Sequence, residues 1–241
     1  MPAADLLDYL DADAACRAYV AVPDGAGPFP CVIVAHDWAG KHEGMHAKAD
    51  EMAALGYVGF ALDVYGEGKV GDLAGDNSAL MTPFVSDRAK LRRRLLAAVK
   101  AAQDHPAVDA SRVAAIGYCF GGLCVLDMAR AVPEGLRGVV SIHGLFNAPE
   151  GLGQQQPITA SVLALHGWDD PMAKPDSVLA LAGEMTTAGA DWQIHAFGNT
   201  LHAFTNPGAN NPAGGVMYDA KADRRSTAML TDFLAEVLAP R

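Results

Sequence analysis

The chain has 241 residues, a formal net charge of −10, 51% apolar residues and 19% charged residues. This composition excludes a disordered chain, and the length suits a single α/β domain spanning residues 1–241. The acidic balance provides no basic footprint, so we expect no nucleic-acid partner.

The hydropathy pattern predicts neither a membrane segment nor an export signal. No apolar run approaches the length that spans a bilayer, and the first residues lack a basic segment followed by an apolar one. A chain of this size needs no disulfides, although it contains four cysteines: Cys16, Cys31, Cys119 and Cys124. We therefore expect reduced thiols, a cytoplasmic location and no membrane partner.

Strand-like and helix-like segments alternate along the chain. Strands are predicted at residues 17–22, 31–35, 57–62, 113–116, 138–142, 161–165 and 191–197. Helices are predicted at residues 44–55, 83–103, 121–131, 175–185 and 220–238. Residues 66–82 and 206–215 predict loops. This alternation indicates a mostly parallel sheet with helices on both faces.

One basic cluster stands out against the acidic balance. Residues 88–94 contain four arginines and one lysine within the predicted helix 83–103. We interpret this cluster as a solvated helix face, which is the usual role of such a charge run. The alternative is that one of its arginines, such as Arg88 or Arg92, reaches an anionic substrate.

The sequence G-Y-C-F-G-G at residues 117–122 follows a predicted strand and precedes a predicted helix. A reactive residue between glycines at such a junction is typical of a nucleophile elbow, in which serine is the usual residue. The glycines leave room for a strained turn at Cys119, and the helix N-terminus favours the thiolate that attacks. The alternative is a glycine-rich turn around an inert, buried cysteine.

Polar or reactive residues follow four of the predicted strands. They are His36, Asp37 and Trp38, then Cys119 with Phe120, then Asp169 with Asp170, and finally His202. In open parallel sheets, ligands bind at the carboxyl ends of the strands. We therefore expect these residues to collect at one edge of the sheet and to form an active site.

A cysteine nucleophile needs a base, and that base needs an orienting group. His202 is the preferred base for Cys119, because it lies in a short loop after the last predicted strand. His166 is the next candidate, but we interpret it as structural. We interpret His36 as a residue that shapes the site and His195 as a packed or surface residue.

Two adjacent aspartates, Asp169 and Asp170, compete for the orienting role. Adjacent side chains diverge, so only one of them can face His202. In the usual α/β-hydrolase arrangement the acid lies three residues after the glycine that is Gly167 here, and this selects Asp170. The order Cys119, Asp170, His202 also matches the chain order of α/β-hydrolase triads.

A tetrahedral intermediate on the nucleophile needs two N–H donors for its oxygen. One is the backbone N–H of Phe120, directly after the nucleophile. The second is expected from the loop after residues 31–35, at the N–H of Trp38. The sequence contains no phosphate-binding loop and no paired cysteines at zinc-ligand spacing, so we expect no cofactor and no metal.

Together these motifs resemble the dienelactone hydrolase family, the cysteine branch of the α/β-hydrolases. The resemblance runs nearly end to end and is carried by residues 112–122, by H-G-W-D-D at residues 166–170 and by H-A-F at residues 202–204. It implies an α/β-hydrolase fold and a triad of Cys119, Asp170 and His202.

Two positions depart from the pattern of that family. Its members carry an acid that contacts the resting cysteine, and here this acid is Asp37, one methylene shorter than the usual glutamate. Enzymes that act on dienelactone carry an arginine four residues after the histidine, and here that residue is Asn206. Because asparagine cannot replace a charged, bidentate partner of a carboxylate, we expect dienelactone to be a poor substrate.

The sequence therefore predicts a carboxylic ester hydrolase, acting on small-molecule esters or lactones through an acyl-enzyme on Cys119. One alternative is a thioesterase or acyltransferase with the same triad, and another is a non-catalytic α/β-hydrolase domain that binds a small ligand. We expect His36, Tyr118 and Phe204 to line the substrate pocket. The chain-length preference and the oligomeric state stay open.

Overall fold

We describe the protein from a computed structural model, which covers residues 3–12 and 14–240. The strands are β1 (Ala3–Asp11), β2 (Ala14–Val22), β3 (Phe29–Ala35), β4 (Val58–Ala61), β5 (Val108–Tyr118), β6 (Leu136–Ile142), β7 (Ser161–Gly167), β8 (Trp192–Phe197), β9 (Asn210–Asn211) and β10 (Val216–Met217). The helices are α1 (Glu43–Ala54), α2 (Ser78–Val85), α3 (Arg88–Gln103), α4 (Phe120–Ala131), α5 (Pro175–Thr187) and α6 (Ala220–Val237).

Eight strands form one sheet in the order β1-β2-β4-β3-β5-β6-β7-β8. Strands β3 to β8 run parallel to one another, whereas β2 pairs antiparallel with both β1 and β4. The expected mostly parallel central sheet with helices on both faces is therefore confirmed. Since all six parallel strands point the same way, their carboxyl ends meet at one edge of the sheet.

The core lies on both faces of this sheet. One apolar cluster packs β3 and β5 against α3, α4 and α5, and the other packs the opposite face against α1 and α6. Residues of the central strands are buried regardless of which face they occupy, as in Cys31–Ala35 and Val113–Ile116. This double coverage explains why the central strands read as continuous apolar runs.

Three parts of the fold differ from the sequence expectations. The predicted helix 83–103 is two helices, because Asp87 interrupts it and caps α3 by accepting a hydrogen bond from the N–H of Lys90 at 2.9 Å. The end of the predicted loop 66–82 belongs to α2. Strand β1 was not predicted, since its alanines, leucines and aspartates have modest β-propensity.

The basic cluster at residues 88–94 is only partly the solvated face that we expected, because Arg93 is 57% exposed whereas Arg88 and Arg94 are largely buried. Arg94 is buried and binds Asp11 at 2.9 Å, and Arg93 binds the same carboxylate at 2.8 Å. Arg88 forms a bidentate pair with buried Asp127 on α4. These pairs connect α3 to β1 and to α4, so Arg88, Arg93 and Arg94 stabilise the fold.

A buried ion network continues from Asp127 across three helices. Arg130 on α4 binds Asp127 at 3.0 Å and forms a bidentate pair with Glu184 on α5, with both distances at 2.7 Å. It also donates to the carbonyl of Phe146, in the loop after β6.

In the described part of the chain, no helix has the length and apolarity needed to cross a membrane.

Candidate active site

Cys119 sits at the sharp turn between β5 and α4. Its backbone has φ 55° and ψ −115°, in the left-handed half of conformational space that residues with a Cβ rarely adopt. Helix α4 begins at Phe120, the next residue, so the positive end of the helix dipole lies at the sulfur. This geometry is that of a nucleophile elbow.

The glycines around Cys119 are required by close backbone contacts. A Cβ on Gly117 would lie 2.0 Å from the carbonyl oxygen of Gly121, and a Cβ on Gly121 would lie 2.2 Å from the carbonyl oxygen of Ala35. A Cβ on Gly122 would lie 2.6 Å from Cα of Gly144. The elbow therefore holds its turn only because three side chains are absent.

His202 and Asp170 meet at the same edge of the sheet. Asp170 follows β7 and His202 follows β8, and Nδ1 of His202 lies 2.7 Å from Oδ2 of Asp170. The other carboxylate oxygen of Asp170 accepts the N–H of Met172 at 2.8 Å. Asp170 is buried whereas Asp169 is exposed, so Asp170 is the aspartate that contacts the histidine.

The backbone of His202 is held on both sides by a later segment, which we call the 206–218 loop. The N–H of His202 donates to the carbonyl of Gly215 at 2.9 Å, and its own carbonyl accepts the N–H of Met217 at 3.1 Å. A Cβ on Gly215 would lie 2.2 Å from Cγ of Pro171, next to the aspartate. Regular structure is present in the predicted loop 206–215, which contains strand β9 and a one-turn 3₁₀ helix and is followed by β10.

The electrostatic environment of His202 favours its charged form. Burial lowers the pKa of the ring, but the neighbouring Cys119 and the contact with Asp170 outweigh burial and raise that pKa to about 10. Nε2 of His202 is buried and has no hydrogen-bond partner of regular geometry among the described residues. Because Nδ1 is engaged by Asp170, Nε2 is the ring nitrogen that is left to take or give a proton.

Two backbone N–H groups are available as oxyanion donors. Phe120 is the first residue of α4, so its N–H has no acceptor four residues earlier within that helix. The N–H of Trp38 makes no hydrogen bond within the described residues, while the Trp38 carbonyl accepts the hydroxyl of Tyr65 at 2.8 Å. The Tyr65 contact fixes the Trp38 loop beside the elbow.

Asp37 makes different contacts from the one expected. Its Oδ1 accepts the N–H of Ala39 at 2.8 Å, and its Oδ2 lies 3.2 Å from Nε2 of His42. Among the described residues, no hydrogen bond joins Asp37 to Cys119. The short carboxylate is held by its own loop, which agrees with its reduced reach relative to a glutamate.

The three residues expected to line a pocket are packed in the interior. His36 is fully buried, and its ring bonds the carbonyl of Asp37 at 2.7 Å and the N–H of Val64 at 3.2 Å. Phe204 is fully buried against other aromatic rings, and Tyr118 is 7% exposed in the core beneath α1 and α6. Their role in a substrate pocket stays a prediction, since none of the three is more than 7% exposed in this structure.

Sequence reasoning missed His143, which directly follows β6. Its Nδ1 lies 3.2 Å from the backbone nitrogen of Cys119, and its Nε2 lies 2.9 Å from Oγ1 of Thr205. Its ring centroid is 5.2 Å from that of His202. The signal was present, since His143 follows a parallel strand as the other site residues do, but only the pairing of β5 with β6 brings it to the nucleophile.

The remaining histidines and cysteines take no direct part in this arrangement. His166 is fully buried at the end of β7, its ring packs on Phe146, and burial lowers its pKa. All four cysteines are free thiols, and Cys119 is the one that is partly exposed. Burial raises the pKa of Cys16 to about 11.

The sheet topology and the elbow together define an α/β-hydrolase. The chain belongs to the dienelactone hydrolase family, whose profile matches residues 16–238. It is accordingly a hydrolase of ester or lactone bonds.

Several known proteins are similar to this chain. A structure described as a dienelactone hydrolase-like promiscuous phosphotriesterase from metagenomic libraries has 34% sequence identity, covers 98% of this chain and 99% of its own, and has a TM-score of 0.90. An uncharacterized protein of Caenorhabditis elegans is 38% identical over 158 residues, which are 65% of this chain and all of that protein. A Bradyrhizobium protein named "Probable 2-oxo-3-(5-oxofuran-2-ylidene)propanoate lactonase" is 26% identical, covering 78% of each chain.

Proposed function

We propose that the protein hydrolyses neutral carboxylic esters or lactones through a Cys119–His202–Asp170 triad and a covalent acyl-enzyme. The single observation that carries the proposal is the position of His202. One ring nitrogen is hydrogen bonded to buried Asp170, and the nearby Cys119 helps to raise the pKa of the ring. Asp170 thereby fixes the tautomer and leaves Nε2 for proton transfer.

In the proposed first half-reaction, the Cys119 thiolate attacks the substrate carbonyl and forms a tetrahedral intermediate. The N–H groups of Phe120 and Trp38 bind its oxyanion. The intermediate collapses when the bond to the alkoxide breaks, and the His202 imidazolium protonates that alkoxide. The product of this half-reaction is an acyl-enzyme together with a free alcohol, or a ring-opened chain in the case of a lactone.

In the second half-reaction, neutral His202 removes a proton from a water molecule as that water attacks the thioester. The C–S bond then breaks, the carboxylic acid leaves, and Cys119 returns as thiolate beside the His202 imidazolium. Every proton is accounted for by one histidine, so this scheme requires no metal or organic cofactor.

The charge of the preferred substrate follows from the arginines. Asn206 stands where dienelactone enzymes carry an arginine, and Arg88, one of the two arginines considered as a replacement, is engaged by Asp127. Arg93 and Arg94 are engaged by Asp11, while Arg92, the other arginine considered, makes no ion pair among the described residues. We therefore propose that neutral esters and lactones are better substrates than dienelactone, which bears a carboxylate. Equal kcat/KM for dienelactone and a neutral aryl ester would contradict this part of the proposal.

A panel of p-nitrophenyl esters and simple lactones of increasing chain length tests the activity, with wild type, Cys119→Ser and Cys119→Ala compared. The panel includes a neutral phosphotriester, because one relative is described as a promiscuous phosphotriesterase. We expect wild type to show a burst of one p-nitrophenolate per chain, and Cys119→Ala to lose both the burst and turnover. Unchanged turnover in Cys119→Ala would refute the proposed nucleophile.

Stoichiometric labelling separates this proposal from a non-catalytic binding domain. At neutral pH, iodoacetamide should modify Cys119 and abolish activity, whereas Cys16 should react far more slowly because it is buried and its pKa is raised. Equal labelling of Cys119 and Cys16 would favour the binding domain. An added alcohol or thiol that outcompetes water for the acyl-enzyme would instead identify an acyltransferase.

A further inference from the structure

His143 occupies an unusual place beside the proposed triad. It is 3% exposed, its φ is 38°, and it follows β6, the neighbour of the strand that delivers the nucleophile. The backbone N–H of Cys119 is shared between the carbonyl of Ile142 at 3.1 Å and Nδ1 of His143 at 3.2 Å. The imidazole is thus a second acceptor for the nucleophile's own peptide group.

The contacts of His143 determine its tautomer. A nitrogen that accepts the N–H of Cys119 cannot itself carry a proton, so the proton of neutral His143 lies on Nε2. Nε2 then donates to Oγ1 of Thr205, 2.9 Å away. Thr205 lies three residues after His202, so the bond reaches the chain segment that carries the proposed base.

The ring of His143 also touches that segment directly. Its centroid is 5.2 Å from the His202 ring at an interplanar angle of 69°, and 5.2 Å from the Phe204 ring at 80°. The His143 imidazole therefore contacts the backbone of Cys119, the ring of His202 and two adjacent residues that follow His202, Phe204 and Thr205.

We propose that His143 is a positioning residue, which sets the distance between Cys119 and His202 by bridging the Cys119 backbone to Thr205. The inference rests on the proposed triad and adds to it a residue that never touches the substrate. Its charge state agrees with this role: burial and the neighbouring His202 hold the pKa of His143 well below its ordinary value, so the ring stays neutral. A protonated ring could no longer accept from Cys119.

Two substitutions remove the same hydrogen bond from opposite ends. His143→Asn keeps an acceptor near the place of Nδ1, tolerates a positive φ, and is too short to reach Thr205. Thr205→Val removes the hydroxyl, while Thr205→Ser retains it. Thr231→Val is the matched control, because Thr231 is exposed on α6 and bonds only the carbonyl of Thr227 within its own helix.

For an ester that wild type hydrolyses, we expect His143→Asn and Thr205→Val each to lower kcat about tenfold or more, with little change in KM. The double variant should lose no more than either single variant, because both changes break one bond. Thr205→Ser should retain wild-type kcat, and Thr231→Val should be unchanged. The rate of Cys119 alkylation by iodoacetamide should fall in parallel with kcat.

Wild-type kcat in both single variants would overturn the inference, and so would losses that multiply in the double variant. If His143→Asn lowers the melting temperature but keeps wild-type kcat at a temperature where the variant is folded, the role of His143 is purely structural. This outcome would also overturn the inference. If His143→Asn does not fold, Thr205→Val and Thr205→Ser decide the question. Failure of the proposed function is distinct, since it would appear as an inactive wild type or an active Cys119→Ala.

Discussion

Nδ1 of His202 and Oδ2 of Asp170 lie 2.7 Å apart, and neither side chain is more than 4% exposed. A hydrogen bond of this length between buried groups is strong, because water does not compete with it. It joins the loops after two neighbouring strands, β7 and β8. In the proposed function, this contact orients His202 for proton transfer, so replacing Asp170 should impair hydrolysis.

Asp170→Asn should reduce kcat by about 10⁴, the loss known for a triad whose orienting acid becomes an amide. The amide would stabilise the wrong tautomer of His202 and could not support its positive charge. Asp169→Asn is the matched control, since Asp169 is adjacent and exposed. The measurement is steady-state hydrolysis of an ester that wild type accepts. Equal losses in the two variants would contradict the assignment.

The pH dependence of hydrolysis should report the charge of His202. Its pKa is raised from 6.5 to about 10, so the ring stays protonated at neutral pH and loses its proton as the pH rises through that value. For an alkyl ester, kcat/KM should therefore fall in the strongly alkaline range, because the leaving alkoxide needs the imidazolium proton.

Two comparisons check this alkaline limb. A p-nitrophenyl ester should show little of it, since p-nitrophenolate leaves without a proton. Asp170→Asn should move the limb to lower pH, because the contact with Asp170 helps to raise the pKa of His202. If the alkaline fall in kcat/KM for an alkyl ester occurred at the same pH in Asp170→Asn as in wild type, the proposed role of the Asp170–His202 pair would be contradicted.

Asp127→Asn should destabilise the protein by about 3–5 kcal/mol, because it leaves two arginines in the interior without their shared carboxylate. Asp127 is 3% exposed and binds both Arg88 and Arg130. Asp104→Asn makes the same change in the exposed pair with Lys100 and should cost at most ~0.5 kcal/mol. Urea unfolding measures both, and similar losses would refute the importance of the buried network.

Gly121→Ala should lower both stability and activity. Its Cβ would lie 2.2 Å from the carbonyl oxygen of Ala35, and relieving this overlap should cost about 1–3 kcal/mol and displace the elbow. Gly183→Ala is the control, because Gly183 is exposed within α5 with no atom within 4 Å of a new Cβ. That change should stabilise the protein by about 0.5–1 kcal/mol and leave kcat unaltered. Thermal unfolding and ester hydrolysis give the two readouts.

Much of the fold could be predicted because each central strand carries its own signal. Continuous apolar runs such as 31–35 and 113–116 are explained by a sheet that is covered on both faces, and the glycines around Cys119 by close backbone contacts. The split of the predicted helix 83–103 was missed for a local reason. Proline is common at the start of a helix, so Pro83 predicts a helix start, whereas it lies inside α2 and Asp87 caps the start of α3.

The parts of the site that the sequence did not predict depend on contacts between distant segments. His143 gains its place only when β5 pairs with β6, and its bond with Thr205 needs the loop after β8. The burial of Phe204 depends likewise on packing against other elements. Residue type and spacing predict which strands carry polar ends, but not which side of each end faces solvent.

The 206–218 loop has a consequence for how such an enzyme can diversify. Residues 206–208 and 210–214 of this loop are exposed, whereas Gly215 and Met217 form hydrogen bonds with the backbone of His202. Insertions or charge changes in the exposed part can alter the surface near His202, while the two backbone hydrogen bonds keep the imidazole in place. Substrate preference can therefore change in evolution through the exposed residues of the 206–218 loop, while the contact between His202 and Asp170 is retained.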